Sequence, residues 1–365
     1  MFKTVPLCGR SLLLRFVVVM GKYKRKDRKS KLFVIISVIL IIISASAAIR
    51  MWSVHYPAGF NGALRVKNGK IVNRFGRPFV LQGVSTNSLQ TNGQYIDKKG
   101  FRELKNKWNV NCVRLSLKTY GDDGYCRVDD KTRAELNSKI RWGVQCATEC
   151  GLYVIIDWHI LEDRNPNRYR SYALEFFSKM AQKYKNQSNV IFEICNEPNN
   201  GTTWTDVKEY AESVAGEIRS KDNRSLIITG TPDWCQQITD PLYDPVIDLN
   251  TAYSYHFYAA SHKEEYRDKL RTALEAGLPV VVSEFGISEH TGDGKLDPEE
   301  GEKWLSLLDQ YDVGRICWSL SKGKESSKIF KENCPKTNGW EDEDLTEYGM
   351  WIREQYNKRR WNPVL

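Results

Sequence analysis

Along most of the chain, short apolar runs rich in Val, Ile, Phe and Tyr alternate with stretches in which apolar residues recur every three or four positions. The short runs, bounded by Gly, Pro, Asn or Asp, read as buried strands, and the 3.6-period stretches read as helices packed on them. Eight runs qualify: Phe79–Val84, Val110–Leu117, Leu152–Asp157, Val190–Cys195, Leu226–Thr229, Asn250–Tyr255, Pro279–Ser283 and Arg315–Trp318. Strands that alternate with helices form a parallel sheet, and eight in succession predict one (β/α)8 TIM barrel. Ahead of the first strand, Leu64–Asn73 alternates apolar and polar residues around Asn68-Gly69. That pattern predicts a β-hairpin, placed here at the barrel floor. There is no Pro- or Ser-rich linker and no internal repeat, so residues 57–365 form a single predicted barrel domain. The longest insertion, Gly323–Thr346, follows the eighth strand, and its acidic run Glu341–Asp344 reads as a solvated loop.

The first 49 residues follow a different pattern. Residues 1–31 are basic, Leu32–Ile49 is apolar over about 18 residues, and Ser44–Ala48 is small. This order fits a secretory signal with a cleavage site at Ala45-Ser46-Ala47. It equally fits a membrane anchor over 32–49 with the basic flank on the cytoplasmic side. The signal is better formed if counted from Met20. Either reading predicts export, as a secreted protein or one tethered to the membrane. The segment also explains the net charge of +9. Residues 1–50 carry 11 of the 54 Lys and Arg against Asp27 alone, leaving 43 basic and 44 acidic residues in the body. A near-neutral body carries no nucleic-acid footprint. The nine cysteines show no Cys-x-x-Cys and no zinc spacing. Cys112, Cys195 and Cys317 fall in core strands, while one or two bridges among the loop cysteines stay open.

Barrel enzymes keep their chemistry at the carboxyl ends of the strands. The fourth strand runs into Asn196, Glu197 and Pro198, and proline forces the chain to turn there. The second strand delivers Arg114, the third Asp157, Trp158 and His159, the sixth His256 and Tyr258, the seventh Glu284 and the eighth Trp318. Singly, each has a plainer reading: His159 as a core histidine, Trp318 as core, Glu197 as a turn carboxylate. Together they suit glycosidic bond cleavage, in which one carboxylic acid protonates the leaving oxygen and a second carboxylate attacks the sugar. Opposed strands of a narrow barrel favour the short separation that gives retention of configuration. Arg114 would keep the nucleophile ionised, Asn196 suits a sugar 2-hydroxyl, and Trp234 and Trp318 offer flat faces to pyranose rings. The pattern alone leaves open which glutamate is the acid.

Five motifs in order then resemble the cellulase family, glycoside hydrolase family five, in its bacterial-type endoglucanase branch. They are Leu152–His159, Asn189–Asn199, Tyr253–His262, Val281–Gly286 and Trp318–Ser321 followed by Glu325-Ser326-Ser327. The resemblance runs from Leu64 to about Arg353. It implies Glu197 as acid/base and Glu284 as nucleophile, with Arg114, His159, Asn196, His256, Tyr258, Trp318 and Glu325 around them. It implies no metal and no organic cofactor. The substrate would be a β-linked polysaccharide or oligosaccharide, cut internally at β-1,4 bonds of cellulose-like glucans by a monomer. Three departures bear on specificity. The family's Ser-His-Gly-Leu-Gln-Trp is here Thr86-Asn87-Ser88-Leu89-Gln90-Thr91, Lys118 replaces a tyrosine, and Gly323 stands at a usual lysine position between Lys322 and Lys324. Mannan, xyloglucan or mixed-linkage glucan are therefore alternative substrates. A glycan-binding barrel without hydrolysis and a metal-dependent hydrolase using His159 and His256 are the weaker readings.

Overall fold

The computed structural model describes residues 28–55 and 57–359. Met20, Cys8 and most of the basic segment lie outside the described residues. Arg28–His55 is one continuous helix, and it carries the apolar run. The large apolar side chains from Leu32 to Ile43 on it are exposed, Phe33 to 71%, except half-buried Val38. Its side chains are described over 32–45 only, and among the described residues no helix is long and apolar enough to cross a membrane.

The hairpin is β1 (Arg65–Lys67) and β2 (Lys70–Val72), paired antiparallel with Lys67 opposite Lys70. Asn68 and Gly69 have φ of 51° and 71°, the left-handed pair that matches strand twist in a two-residue turn. A side chain at residue 69 would also lie 2.4 Å from the Gly277 carbonyl oxygen, so the turn sits hard against the barrel.

Eight parallel strands then close the barrel: β3 (Gln82–Thr86), β4 (Cys112–Lys118), β5 (Tyr153–His159), β6 (Val190–Cys195), β7 (Ile227–Thr229), β8 (Thr251–Tyr258), β9 (Val280–Gly286) and β10 (Gly314–Leu320). They are hydrogen-bonded in sequence order, with β10 against β3. All eight expected strands exist; Val190–Cys195 has the expected bounds and the others have shifted ends. β3 begins at Gln82, because Phe79 is instead paired to the hairpin through its N–H to the Ile71 carbonyl. β5, β8 and β9 extend past Asp157, Tyr255 and Ser283, because the polar residues at their ends stay in the ladder and face the site.

The barrel interior has an apolar lower storey. Cys112, Tyr153, Ile155, Ile191, Ile228, Ala252, Val281 and Ile316 pack together with Leu64, Ile71 and Phe79 from the hairpin region. The hairpin thus plugs the floor, and Val66 N–H reaches the Asn250 side chain at 2.8 Å. Burying this layer fixes strand register, since a slip of one residue would turn every inward side chain outward. The insertion after β10 forms a small parallel pair, β11 (Lys322–Gly323) with β12 (Phe330–Lys331). In the acidic run, Asp344 is not solvated as expected: it is buried, bonded to Lys336 at 2.6 Å and to the Glu341 N–H at 2.9 Å. The eight described cysteines are all free and buried, so no bridge forms among the described residues.

Candidate active site

Side chains alternate along a strand, so the residue two places beyond each apolar floor residue also points inward. Those positions carry Arg114, Asp157, Glu193, Ser254 and Ser283, all with almost no exposure. Arg114 organises them. Its Nε donates to Glu193 Oε2 at 2.7 Å, Nη2 to Asn196 Oδ1 at 2.6 Å and Nη1 to Ser85 Oγ at 3.1 Å. Nη2 also pairs with Asp157 Oδ2 at 3.0 Å, and Nη1 with Glu284 Oε2 at 3.2 Å. Burial opposes the charge of Arg114, but Asp157, Glu193 and Glu284 outweigh it and push its pKa up. The cation is permanent, and its rigid fork fixes the carboxylates around it.

Glu197 and Glu284 stand one storey higher, on opposite sides of the barrel mouth. Glu284 follows Ser283 directly, yet both face the site, because two residues of β9, Val282 and Ser283, oppose the single Tyr255 of β8 between Ser254 and His256. Such a bulge re-aims side chains. The ligand atoms of Glu197, His256 and Glu284 lie within 4.8 Å of one another. These three are the described residues that could hold a metal ion. His256 Nδ1 and Glu197 Oε1, however, face each other at 2.7 Å in direct hydrogen-bond contact, not toward a common centre.

The proton on this pair can be traced. Burial lowers the His256 pKa to about 4, so the ring is neutral. Ser283 Oγ donates to Glu193 Oε1 at 2.6 Å and lies 3.0 Å from His256 Nε2. With its hydrogen used on Glu193, Ser283 accepts from Nε2–H, which leaves Nδ1 as an acceptor. Glu197 must then donate, so it carries a proton. Its pKa agrees: burial raises it to about 7, with His159 and Arg114 opposing. Burial and the neighbouring Glu197 raise the Glu284 pKa too, but Glu284 alone accepts from both Tyr258 Oη, at 2.8 Å, and Arg114. Of the two, Glu284 is the carboxylate held ionised.

The remaining predicted residues fall as follows. His159 Nδ1 meets Asp157 Oδ2 at 2.8 Å, and the imidazole stacks on Trp318 with centroids 5.2 Å apart and planes 5° from parallel. Burial lowers the His159 pKa to about 4 and raises that of Asp157 to about 7. Asn196 has no exposed surface. Its Oδ1 is taken by Arg114 and its Nδ2 donates to the Ile160 carbonyl at 3.0 Å, so it holds Arg114 and does not line the cavity. Above the pair opens a cavity of about 880 Å³. One wall is polar, made of Asn87, Ser88, Thr91, Lys118 and Tyr120; the other carries Trp234, Gln236, His262 and Tyr266, with Trp318 and Glu325 also at the rim. Neither lysine beside Gly323 lines it: Lys322 Nζ turns to the Cys334 carbonyl at 3.2 Å, and Lys324 stays exposed.

Glu193 and Ser283 escaped the sequence reading, as did Ser85, Tyr120, Gln236 and His262. For Glu193 a signal existed, a charged residue in the middle of an otherwise apolar strand, two places after Ile191.

A closed barrel with a protonated and an ionised carboxylate facing each other across a cleft is the architecture of a glycosidase. Residues 72–324 match the family model described as Cellulase (glycosyl hydrolase family 5). Endoglucanase A of Butyrivibrio fibrisolvens is 38% identical over 300 residues, covering 82% of this chain and 70% of that protein. Endoglucanase N of Pectobacterium atrosepticum is likewise 38% identical, with 82% of this chain and 66% of its own length covered. Among solved structures, the catalytic domain of Thermobifida fusca endoglucanase Cel5A superposes with a TM-score of 0.79 at 32% identity, covering 83% of this chain and 99% of that one. A variant of that domain has been solved in complex with cellotetraose. The chain belongs to the cellulase family, glycosyl hydrolase family 5.

Proposed function

We propose that this chain is a retaining endo-β-1,4-glucanase that hydrolyses internal bonds of cellulose-like β-glucans. The observation that carries the reading is the pair Glu197 and Glu284, with ligand atoms within 4.8 Å. That spacing belongs with the carboxyl separation of roughly 5–5.5 Å typical of retaining enzymes, too short for a water between carboxylate and sugar. Relatives named as endoglucanases and the cellotetraose complex of the Thermobifida fusca domain support a β-glucan substrate.

In the first step ionised Glu284 attacks the anomeric carbon while Glu197 gives its proton to the leaving oxygen. In the second, Glu197, now ionised, takes a proton from water, which releases the sugar from Glu284. Tyr258 and Arg114 hold the nucleophile's oxygens, and neutral His256, accepting at Nδ1, favours the protonated form of Glu197 from which the leaving oxygen is supplied. Trp234 and Trp318 present flat faces at the rim. The polar wall of Asn87, Thr91 and Lys118, without an indole, favours a second reading in specificity alone: mannan, xyloglucan or mixed-linkage glucan cut by the same mechanism. The order basic, apolar, small along residues 1–49 supports export, with residues 32–49 as signal or tether.

The experiment is reducing-sugar release by residues 57–365 on soluble cellulose, mannan, xyloglucan and mixed-linkage glucan. Glu284→Gln should lower turnover by about 10⁴-fold or more, the scale of removing a covalent nucleophile. Release from mannan or xyloglucan only would move the specificity, and a fully active Glu284→Gln would reject the mechanism.

A further inference from the structure

The turn that carries Trp234 holds three consecutive non-glycine residues in the left-handed region: Asp233 at φ 57°, Trp234 at 52° and Cys235 at 64°. Single residues visit this region at a cost, and a run of three persists only where surrounding bonds fix it. Two of those bonds end on the residues either side of Glu197. Trp234 N–H donates to the Pro198 carbonyl at 3.0 Å, and Cys235 Sγ donates to the Asn196 carbonyl at 2.8 Å. The approach is close enough that a side chain at Gly230 would lie 2.5 Å from the same Asn196 oxygen. Cys235 is fully buried, and burial pushes its thiol pKa up, so the sulfur keeps the hydrogen it donates.

We propose that this left-handed turn is a clamp that positions Glu197 for proton transfer, with Cys235 as the positioning residue. The inference rests on the assignment of Glu197 as the acid. The same turn places Trp234, 39% exposed, over the cavity. One strained element therefore sets both the aromatic face and the backbone that carries the acid. Cys235 touches no substrate and acts through the Asn196 carbonyl.

The test compares two aryl β-cellobiosides by kcat/KM, which reports the first chemical step. The phenyl glycoside needs a proton on its leaving group, whereas the 2,4-dinitrophenyl glycoside does not. Cys235→Ala should lower kcat/KM on the phenyl substrate by about tenfold or more and leave the dinitrophenyl substrate within about twofold. Cys235→Ser, which keeps a donor, should recover most of the loss, and Asp233→Gly, which relaxes the turn, should repeat the pattern more weakly. Equal losses on both substrates, or none on either, would overturn the clamp. Glu197→Gln is run alongside. If it too lowers both substrates equally, the acid assignment fails and the clamp falls with it. If it is selective while Cys235→Ala is not, the clamp alone is wrong. Thermal unfolding of each variant separates misfolding from mispositioning, and Cys235→Ser and Asp233→Gly decide the question if Cys235→Ala does not fold.

Discussion

His256 Nδ1 lies 2.7 Å from Glu197 Oε1, and the rest of the hydrogen-bond chain makes that nitrogen an acceptor. Glu193 takes the Ser283 hydrogen, Ser283 takes the Nε2 hydrogen, and Glu197 is left to supply one to Nδ1. A carboxyl acid is thereby kept loaded well above the ordinary carboxylate range by a group two hydrogen bonds removed from it.

The alkaline limb of kcat/KM should report this acid. Glu197 sits at about 7, so activity falls as pH rises through that value. In Ser283→Ala the histidine is free to protonate Nδ1 and donate to ionised Glu197. Stabilising the charged form lowers the pKa, so the limb should move down by about one pH unit. A pH profile of both proteins on one soluble substrate checks this, and an unmoved limb would contradict the proton trace.

Burying Glu197 costs stability wherever it is ionised. Its folded pKa, about 7, exceeds the ordinary carboxylate value of 4.5, so folded protein binds the proton more tightly. The native state therefore loses stability from about pH 4.5 upward and reaches the full loss above about pH 7. Glu197→Gln should unfold at higher denaturant than wild type at pH 8, by about 1–3 kcal/mol, and show no such gain at pH 4.

Arg114 answers three buried carboxylates. Arg114→Met removes the cation and strands Asp157, Glu193 and Glu284, at about 3–5 kcal/mol. Arg114→Lys keeps the charge but not the fork, so it should fold better and still lose activity, because Glu284 and Glu193 can no longer be held together. Urea unfolding with parallel rate measurements would separate the two effects.

Trp234→Ala removes the rim indole and keeps the backbone turn. Substrates long enough to reach past the cleavage point should show a KM raised by about tenfold, with kcat changed much less. Cellotetraose kinetics provide the measurement.

Much of this was legible in the sequence because barrel strands are patterned for burial. Eight apolar runs gave the strands, and the Asn68-Gly69 turn gave the hairpin. Asn-Glu-Pro after one run and Ser-Glu-Phe-Gly within another marked the two rim glutamates. What stayed hidden is three-dimensional register. Glu193 is one charge in an apolar strand, and only the alternation from Ile191 places it beneath the site beside Arg114. Ser283 was hidden by the bulge that lets two neighbours in sequence face the same way. Asn196, read as suited to a sugar 2-hydroxyl, gives its Oδ1 to Arg114 beneath the cleft. The left-handed turn at Asp233–Cys235 left no trace, since none of its residues is glycine.

The most direct test of the two-glutamate mechanism is the anomeric form of the first product. Proton NMR of cellotetraose hydrolysis, followed before mutarotation sets in, should give the β anomer ahead of the α, as a double displacement through Glu284 requires. The α anomer appearing first would mean inversion by a water, which needs carboxylates farther apart than a pair whose facing oxygens lie within 4.8 Å.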